Sequence, residues 1–187
     1  MTFKELILKA LAPKATGGML VDGVALYGDS IMADQAHRMR LIYPHLIVDR
    51  SIPGDTARKG WVRFPYEGRM PRTVVLQYGT NDLTLGDNPL PYLRGMALHA
   101  LAEGRKVVLT GISTRADRSV SVVNLDIYRL AQDIGATFAH WDYPRLEAPD
   151  GLHPGDAMAD ALAHETVAAL VELRWARTHS PASQRNS

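Results

Sequence analysis

The sequence predicts a three-layer α/β/α domain built on a parallel sheet of about five strands. Short apolar runs alternate along the chain with longer segments of helical period. The runs are rich in Val, Leu and Ile on both faces, as strands buried between two helical layers are. Strand followed by helix, repeated, closes economically only as a parallel sheet covered on both sides.

The runs at 24–27, 46–48, 73–77, 106–110 and 136–139 read as the five strands. Helices are predicted over 32–42, 91–103, 120–134 and 155–174, and local punctuation supports the last three. Pro91 sits near a first turn, Gly104 and Gly135 follow their helices, and Asp156 lies near the start of the final one. The stretch 54–71 is the longest without clear periodicity; with Trp61, Phe64 and Tyr66 it reads as an irregular wall beside a site rather than a linker.

A chain of 187 residues with 46% hydrophobic content can bury one good core and is short for two. A single domain over 1–177 is therefore expected. Residues 1–12 carry Phe3, Leu6, Ile7, Ala10 and Leu11 on one helical face, interrupted by Lys4, Glu5 and Lys9 and ended by Pro13. That pattern suits a short amphipathic helix packed on the domain better than a secretory leader. Residues 178–187 lack a large apolar anchor and are expected to be a disordered tail. No run approaches the roughly 18 apolar residues of a membrane span, so the expectation is a cytoplasmic protein without stable membrane insertion.

Lys and Arg total 21 against 20 for Asp and Glu, so no global field favours nucleic acid. The chain contains no cysteine, which removes disulfides, thiolate metal sites and cysteine nucleophiles together. Neither a Gly-x-Gly-x-x-Gly nor a Walker phosphate loop occurs, and His164-Glu165 lacks the second histidine of a zinc-binding helix. No metal or other cofactor is expected.

Hydroxyl chemistry remains, and four positions carry it. Ser30, in Gly28-Asp29-Ser30, follows the first strand; Gly54, in Ile52-Pro53-Gly54-Asp55, the second; and Asn81, in Gly79-Thr80-Asn81-Asp82, the third. Asp150 and His153, in Asp150-Gly151-Leu152-His153-Pro154, follow the fifth strand, just before the last helix. Parallel strands place all these points at one sheet edge, where open α/β sheets bind their ligands. A serine hydroxyl needs a base to attack at neutral pH; His153 can take its proton, and Asp150, three residues earlier on a turn, can orient the imidazole. A tetrahedral oxyanion needs fixed donors: the N–H groups of Ser30 and Gly54 and the side-chain amide of Asn81. Each piece alone has a plainer reading, since Gly-Asp-Ser and Gly-Thr-Asn are common turns and Asp150 or Asp156 could simply cap the last helix. Asp29 and Asp82 read as acceptors that shape their loops. His140 with Asp142 is the rival dyad, whereas His37, His45, His99 and His164 read as surface positions.

In that order, these four blocks resemble the SGNH, or GDSL-type, hydrolases. The resemblance runs from about residue 24 to about residue 174. It implies a flavodoxin-like α/β/α fold, the same roles for Ser30, Gly54, Asn81, Asp150 and His153, and hydrolysis of an ester or thioester. No Gly-x-Ser-x-Gly elbow is present, which argues against the other common α/β version of serine catalysis. Two departures stand out: Pro53 stiffens the approach to Gly54, and the segment 111–118 is polar and basic. The polar loops suggest a small acyl group, such as acetyl, on a small-molecule or carbohydrate carrier, with Arg115 and Arg118 as candidate carrier contacts and Arg50, Arg58, Arg63 and Arg69 nearby. An acyltransferase, a lysophospholipase or thioesterase, and a non-catalytic binding module are the alternatives. The sequence leaves the oligomeric state open.

Overall fold

Five strands pair all-parallel in the order β2-β1-β3-β4-β5: β1 Val21–Tyr27, β2 Ile47–Asp49, β3 Pro71–Leu76, β4 Lys106–Thr110 and β5 Thr137–Ala139. Six helices connect and cover them: α1 Ser30–Ile42, α2 Ala57–Arg63, α3 Thr80–Leu85, α4 Leu90–Ala102, α5 Ser121–Ile134 and α6 Asp156–Thr178. This computed structural model describes residues 20–64, 71–141 and 148–178, with side chains to residue 173. The predicted helix over 1–12, all but the first residue of the expected tail, and Tyr66, Arg69 and Asp142 lie outside the described residues.

Alternation along the strands sorts the core into two layers. In β1, Ala25 and Tyr27 face one cluster with Val74, Leu76, Val107 and Leu109, closed over by α2, α4 and α5. Val24 and Leu26 face the other, with Val75 and Val108, under α1 and α6. Both faces are dry, which is why these strands read as continuous apolar runs rather than as an alternating pattern. Sheet order changes direction at β1, because β2 lies on one side of it and β3 on the other. The segments after β1 and β3 therefore diverge over a crevice at the carboxyl edge.

The predicted strands and four long helices are present with ends shifted by a few residues, as pairing and caps decide ends more than periodicity does. The irregular stretch expected over 54–71 is a misreading in part, since it contains α2. Thr56 caps that helix through its side chain, accepting from Lys59 N–H at 3.3 Å, and Ala57, Gly60 and Phe64 pack inward. Phe64 is fully buried edge-on to Tyr27 at 4.9 Å, so it belongs to the core and not to a site wall. His99 is likewise no surface residue: its side chain is 16% exposed, lies edge-on to Phe64 and sits 3.4 Å from Glu103.

α6 docks on α1, and Arg38 clamps the pair. Its guanidinium meets Asp34 at 3.0 Å on α1 and Asp156 at 2.8 Å and Asp160 at 2.6 Å on α6. This clamp fixes the first turn of α6, the end from which the preceding loop must return to β1. Among the described residues no helix is long and apolar enough to cross a membrane.

Candidate active site

Ser30 is the first residue of α1, so its N–H has no acceptor within the helix. Asp29 forms the N-cap, its carboxylate accepting from Ile31 N–H at 2.9 Å. Gln77, just after β3, holds Asp29 from behind: its amide oxygen accepts from Asp29 N–H at 3.2 Å and its amide nitrogen donates to the carboxylate at 3.4 Å. Burial pushes the Asp29 carboxyl up to about 6, against the lowering pull of these hydrogen bonds. The serine is thus set on a turn fixed by its own neighbour and by the adjacent strand.

His153 brings its Nε2 to 3.0 Å from Ser30 Oγ across 123 residues of sequence. Its Nδ1 lies 2.7 Å from Asp150 Oδ2. The other oxygen of Asp150 accepts the N–H groups of Leu152 at 2.9 Å and His153 at 2.6 Å, so the carboxylate shapes the turn it sits on. The bond from the His153 side chain, followed by those two backbone donors, holds the Asp150 carboxyl well below the usual carboxylate range. An ionised carboxylate only accepts; the proton is therefore on Nδ1, and Nε2 is left to receive one from the serine. Both side chains are about half exposed, at 48% for His153 and 55% for Asp150, so solvent and substrate reach them.

Gly54 lies on the loop after β2 and Asn81 at the start of α3, after β3. Gly54 has φ +79°, a left-handed backbone that turns the loop after β2, and space for a side chain is open there. Gly79 precedes Asn81 with φ +129°, and a Cβ there would come within 2.4 Å of Ile112, so only glycine lets the chain pass from β3 into α3 at this place. Asn81 is the second residue of α3, half-buried, and its amide donates to the carbonyl of Asp55 at 2.8 Å. Asp82, buried, accepts the N–H of Ala57 at 3.0–3.1 Å, and burial raises its carboxyl. Asp55 in turn is bound by Arg63 at 2.7 Å. The loops after β2 and β3 are stitched together by these contacts.

The structure thus brings Ser30, His153 and Asp150 into one hydrogen-bonded line and ties Asn81 to the loop carrying Gly54. Arg115 and Arg118 turn toward the protein instead. Arg115 is buried; it donates to the Thr80 carbonyl, to Thr84 Oγ1 at 3.1 Å and through two nitrogens to Asp117 at 2.8 and 2.9 Å. Arg118 donates to the Leu83 carbonyl and to Asp117 at 3.0 Å. With four hydrogen bonds to its own chain, the Arg115 guanidinium has little left for a carrier. The rival His140 is exposed at the end of β5, edge-on to Phe138 at 4.8 Å, and its partner Asp142 lies outside the described residues. Among the described residues no group of three or more His, Cys, Asp or Glu side chains is placed to hold a metal ion.

Sequence reading missed Asp55, Gln77 and the structural use of Arg115. The first two had a signal, since each adjoins a motif residue or directly follows a strand beside one. A cavity of about 530 Å³ lies between α2 and the end of α3, lined by Thr56, Arg58, Lys59, Val62, Leu85 and their neighbours.

No family model matches the chain. Over 75 residues it is 40% identical to the esterase TesA of Pseudomonas aeruginosa, a match covering 37% of this chain and 37% of the relative. The chain therefore aligns with little more than a third of that relative's length. A crystal structure of TesA superposes with a TM-score of 0.63 at 26% identity, covering 79% of this chain and 97% of that one. A GDSL-like lipase from Bacteroides thetaiotaomicron gives 0.71 at 19% identity, covering 92% and 98%. An acetyl xylan esterase from Geobacillus stearothermophilus gives 0.65 at 17%, covering 81% and 95%. For the last two, the likeness is one of fold.

Proposed function

We propose that the chain is an SGNH, or GDSL-type, hydrolase, a reading supported by its likeness to TesA, and that it is a serine esterase that removes short acyl groups from a polar carrier through Ser30, His153 and Asp150. The observation that carries this reading is the line Ser30 Oγ, His153, Asp150, at 3.0 and 2.7 Å. Ser30 and the Asp150–His153 turn, 123 residues apart at the serine–histidine contact, meet there in the order that activates a hydroxyl.

In this reading His153 Nε2 takes the Ser30 proton as Oγ attacks the acyl carbon. Asp150, kept ionised, stabilises the imidazolium that forms. The carbonyl oxygen becomes an oxyanion facing the N–H groups of Ser30 and Gly54 and the amide hydrogen of Asn81 that Asp55 does not use. On collapse His153 returns its proton to the departing alcohol, leaving an acyl-serine. Water, deprotonated by the same histidine, then repeats the sequence and releases the acid. No step needs a metal or an organic cofactor.

The carrier contacts are assigned to the cavity between α2 and α3 rather than to Arg115 and Arg118. Arg58 and Lys59 are exposed on its wall beside Asp55, the residue that holds Asn81. That chemistry suits a polar or anionic group.

The test is an ester panel from acetyl to about ten carbons, run with wild type beside Ser30→Ala, with fluorophosphonate labelling followed by intact mass. Hydrolysis of acetyl or butyryl esters, absent in Ser30→Ala, together with a single adduct on Ser30, is the expected result. Absence of both adduct and turnover would remove the catalytic reading, and a clear preference for long acyl chains would remove the substrate reading. Product analysis with added acceptor alcohols separates hydrolysis from acyl transfer.

A further inference from the structure

The segment after β4 touches both halves of the site. Arg115 donates to the carbonyl of Thr80, the residue immediately before Asn81, and to Thr84 Oγ1, which itself donates to the same carbonyl at 3.1 Å. Arg118 donates to the Leu83 carbonyl of the same helix. Asp117 couples the two guanidinium groups, which pull its carboxyl down to about 2. Between them Ala116 donates its N–H to the carbonyl of Gly151 at 3.0 Å, inside the turn that joins Asp150 to His153. Residues 115–118 thus hold the helix that carries Asn81 and the turn that carries His153.

This arrangement answers a physical need. α3 has six residues, too few to be a stable helix on its own, and the site end of the Asp150–His153 turn is exposed. An oxyanion donor contributes only if it is fixed before charge develops, so some external element has to hold α3 in place. Arg115 can do so because its side chain is 4% exposed, and its planar fork bonds Asp117 through two nitrogens while a third N–H reaches the Thr80 carbonyl. Lysine at this place keeps the charge and loses the fork.

We propose that Arg115 is a positioning residue for catalysis: through Thr80 it sets the orientation of Asn81, and through the Ala116–Gly151 bond its loop keeps that donor in register with His153. The inference rests on the proposed role of Asn81 as oxyanion donor. It gives the basic segment 111–118 a function inside the protein rather than toward a carrier.

A double-mutant cycle tests it, with Arg115→Lys, Asn81→Ala and the double variant assayed on an aryl acetate, and with thermal melts of each. The expected result is a kcat lower by about tenfold in Arg115→Lys with KM within about twofold, and a further loss below about twofold when the same change is made in Asn81→Ala. A purely structural arginine would give the same fold-loss in both backgrounds, and that outcome overturns the proposal. So does an unchanged kcat in Arg115→Lys. If Asn81→Ala kept full activity, the oxyanion reading would fail and this inference with it, whereas an impaired Asn81→Ala with an additive cycle sinks only this inference. Should Arg115→Lys fail to fold, Arg118→Gln enters the same cycle, because its side chain is 42% exposed and holds the same helix. A loss of about threefold that disappears in Asn81→Ala supports the proposal, and no loss or an additive loss overturns it.

Discussion

The amide of Asn81 donates to the main-chain carbonyl of Asp55 across 2.8 Å, which uses one of its two N–H groups on the loop that carries Gly54. Asn81 and the backbone beside Gly54, the two donors of the proposed oxyanion hole after Ser30, are thereby fixed relative to each other before any substrate arrives. The cost of orienting them is met in folding and not in the reaction, which is the condition for strong oxyanion stabilisation.

Asn81→Ala should accordingly lower kcat by about 10²- to 10³-fold, with a much smaller change in KM. Steady-state kinetics on an acetyl ester checks this. A loss confined to KM would make Asn81 a substrate contact instead of an oxyanion donor.

Asp150→Asn should lower kcat by roughly 10²- to 10⁴-fold, because an amide can present a donor to Nδ1 and favour the wrong tautomer. The Leu152 and His153 N–H groups still find an acceptor in asparagine, so the melting temperature should change little. Retention of more than about half the activity would take Asp150 out of the proton-handling line.

Asp29→Asn should change how stability depends on pH. The folded carboxyl is raised to about 6, whereas unfolded it titrates near 3.9. Between roughly pH 4 and 6 the folded chain holds a proton that the unfolded chain releases, so this group makes stability fall as pH rises through that window. The penalty is fully present above about pH 6. Asparagine keeps the cap and does not titrate. Urea unfolding of both proteins at pH 4, 5, 6 and 7 should show the variant gaining on wild type as pH rises, by up to about 3 kcal/mol. A difference that stays flat across that range counts against the burial argument.

Gly60→Ala should destabilise the fold by about 1 to 3 kcal/mol despite alanine's better helix propensity. A Cβ there would lie 2.5 Å from Tyr78 Cζ and 2.6 Å from its Oη, and Tyr78 is buried and also meets Arg63 at 3.3 Å. Differential scanning calorimetry checks this; an equal or higher Tm would show that the ring can give way.

The strands were legible because both faces of each are buried, which leaves continuous apolar runs such as Val74-Val75-Leu76. Ser30, Asn81 and His153 were legible because each sits in a short motif beside a strand end or helix start. α2 was harder to see. Ala57, Gly60, Trp61 and Phe64 do follow the helical period after the Thr56 cap, but Gly60 and the charges at Arg58 and Lys59 obscure it over only seven residues.

By itself the sequence determined the layer architecture and which motif residues follow which strands, since these follow from local period, turn residues and the order of parallel strand ends. Tertiary structure alone decided what the arginines do. Arg115 and Arg118 are basic residues in a polar loop by sequence, and nothing local distinguishes a carrier contact from a brace. Their partners, Thr80 and Leu83, lie 35 residues away. Which reading holds depends on which unsatisfied carbonyls the fold brings within reach of a guanidinium, and that is fixed only when α3 and the β4–α5 loop pack together.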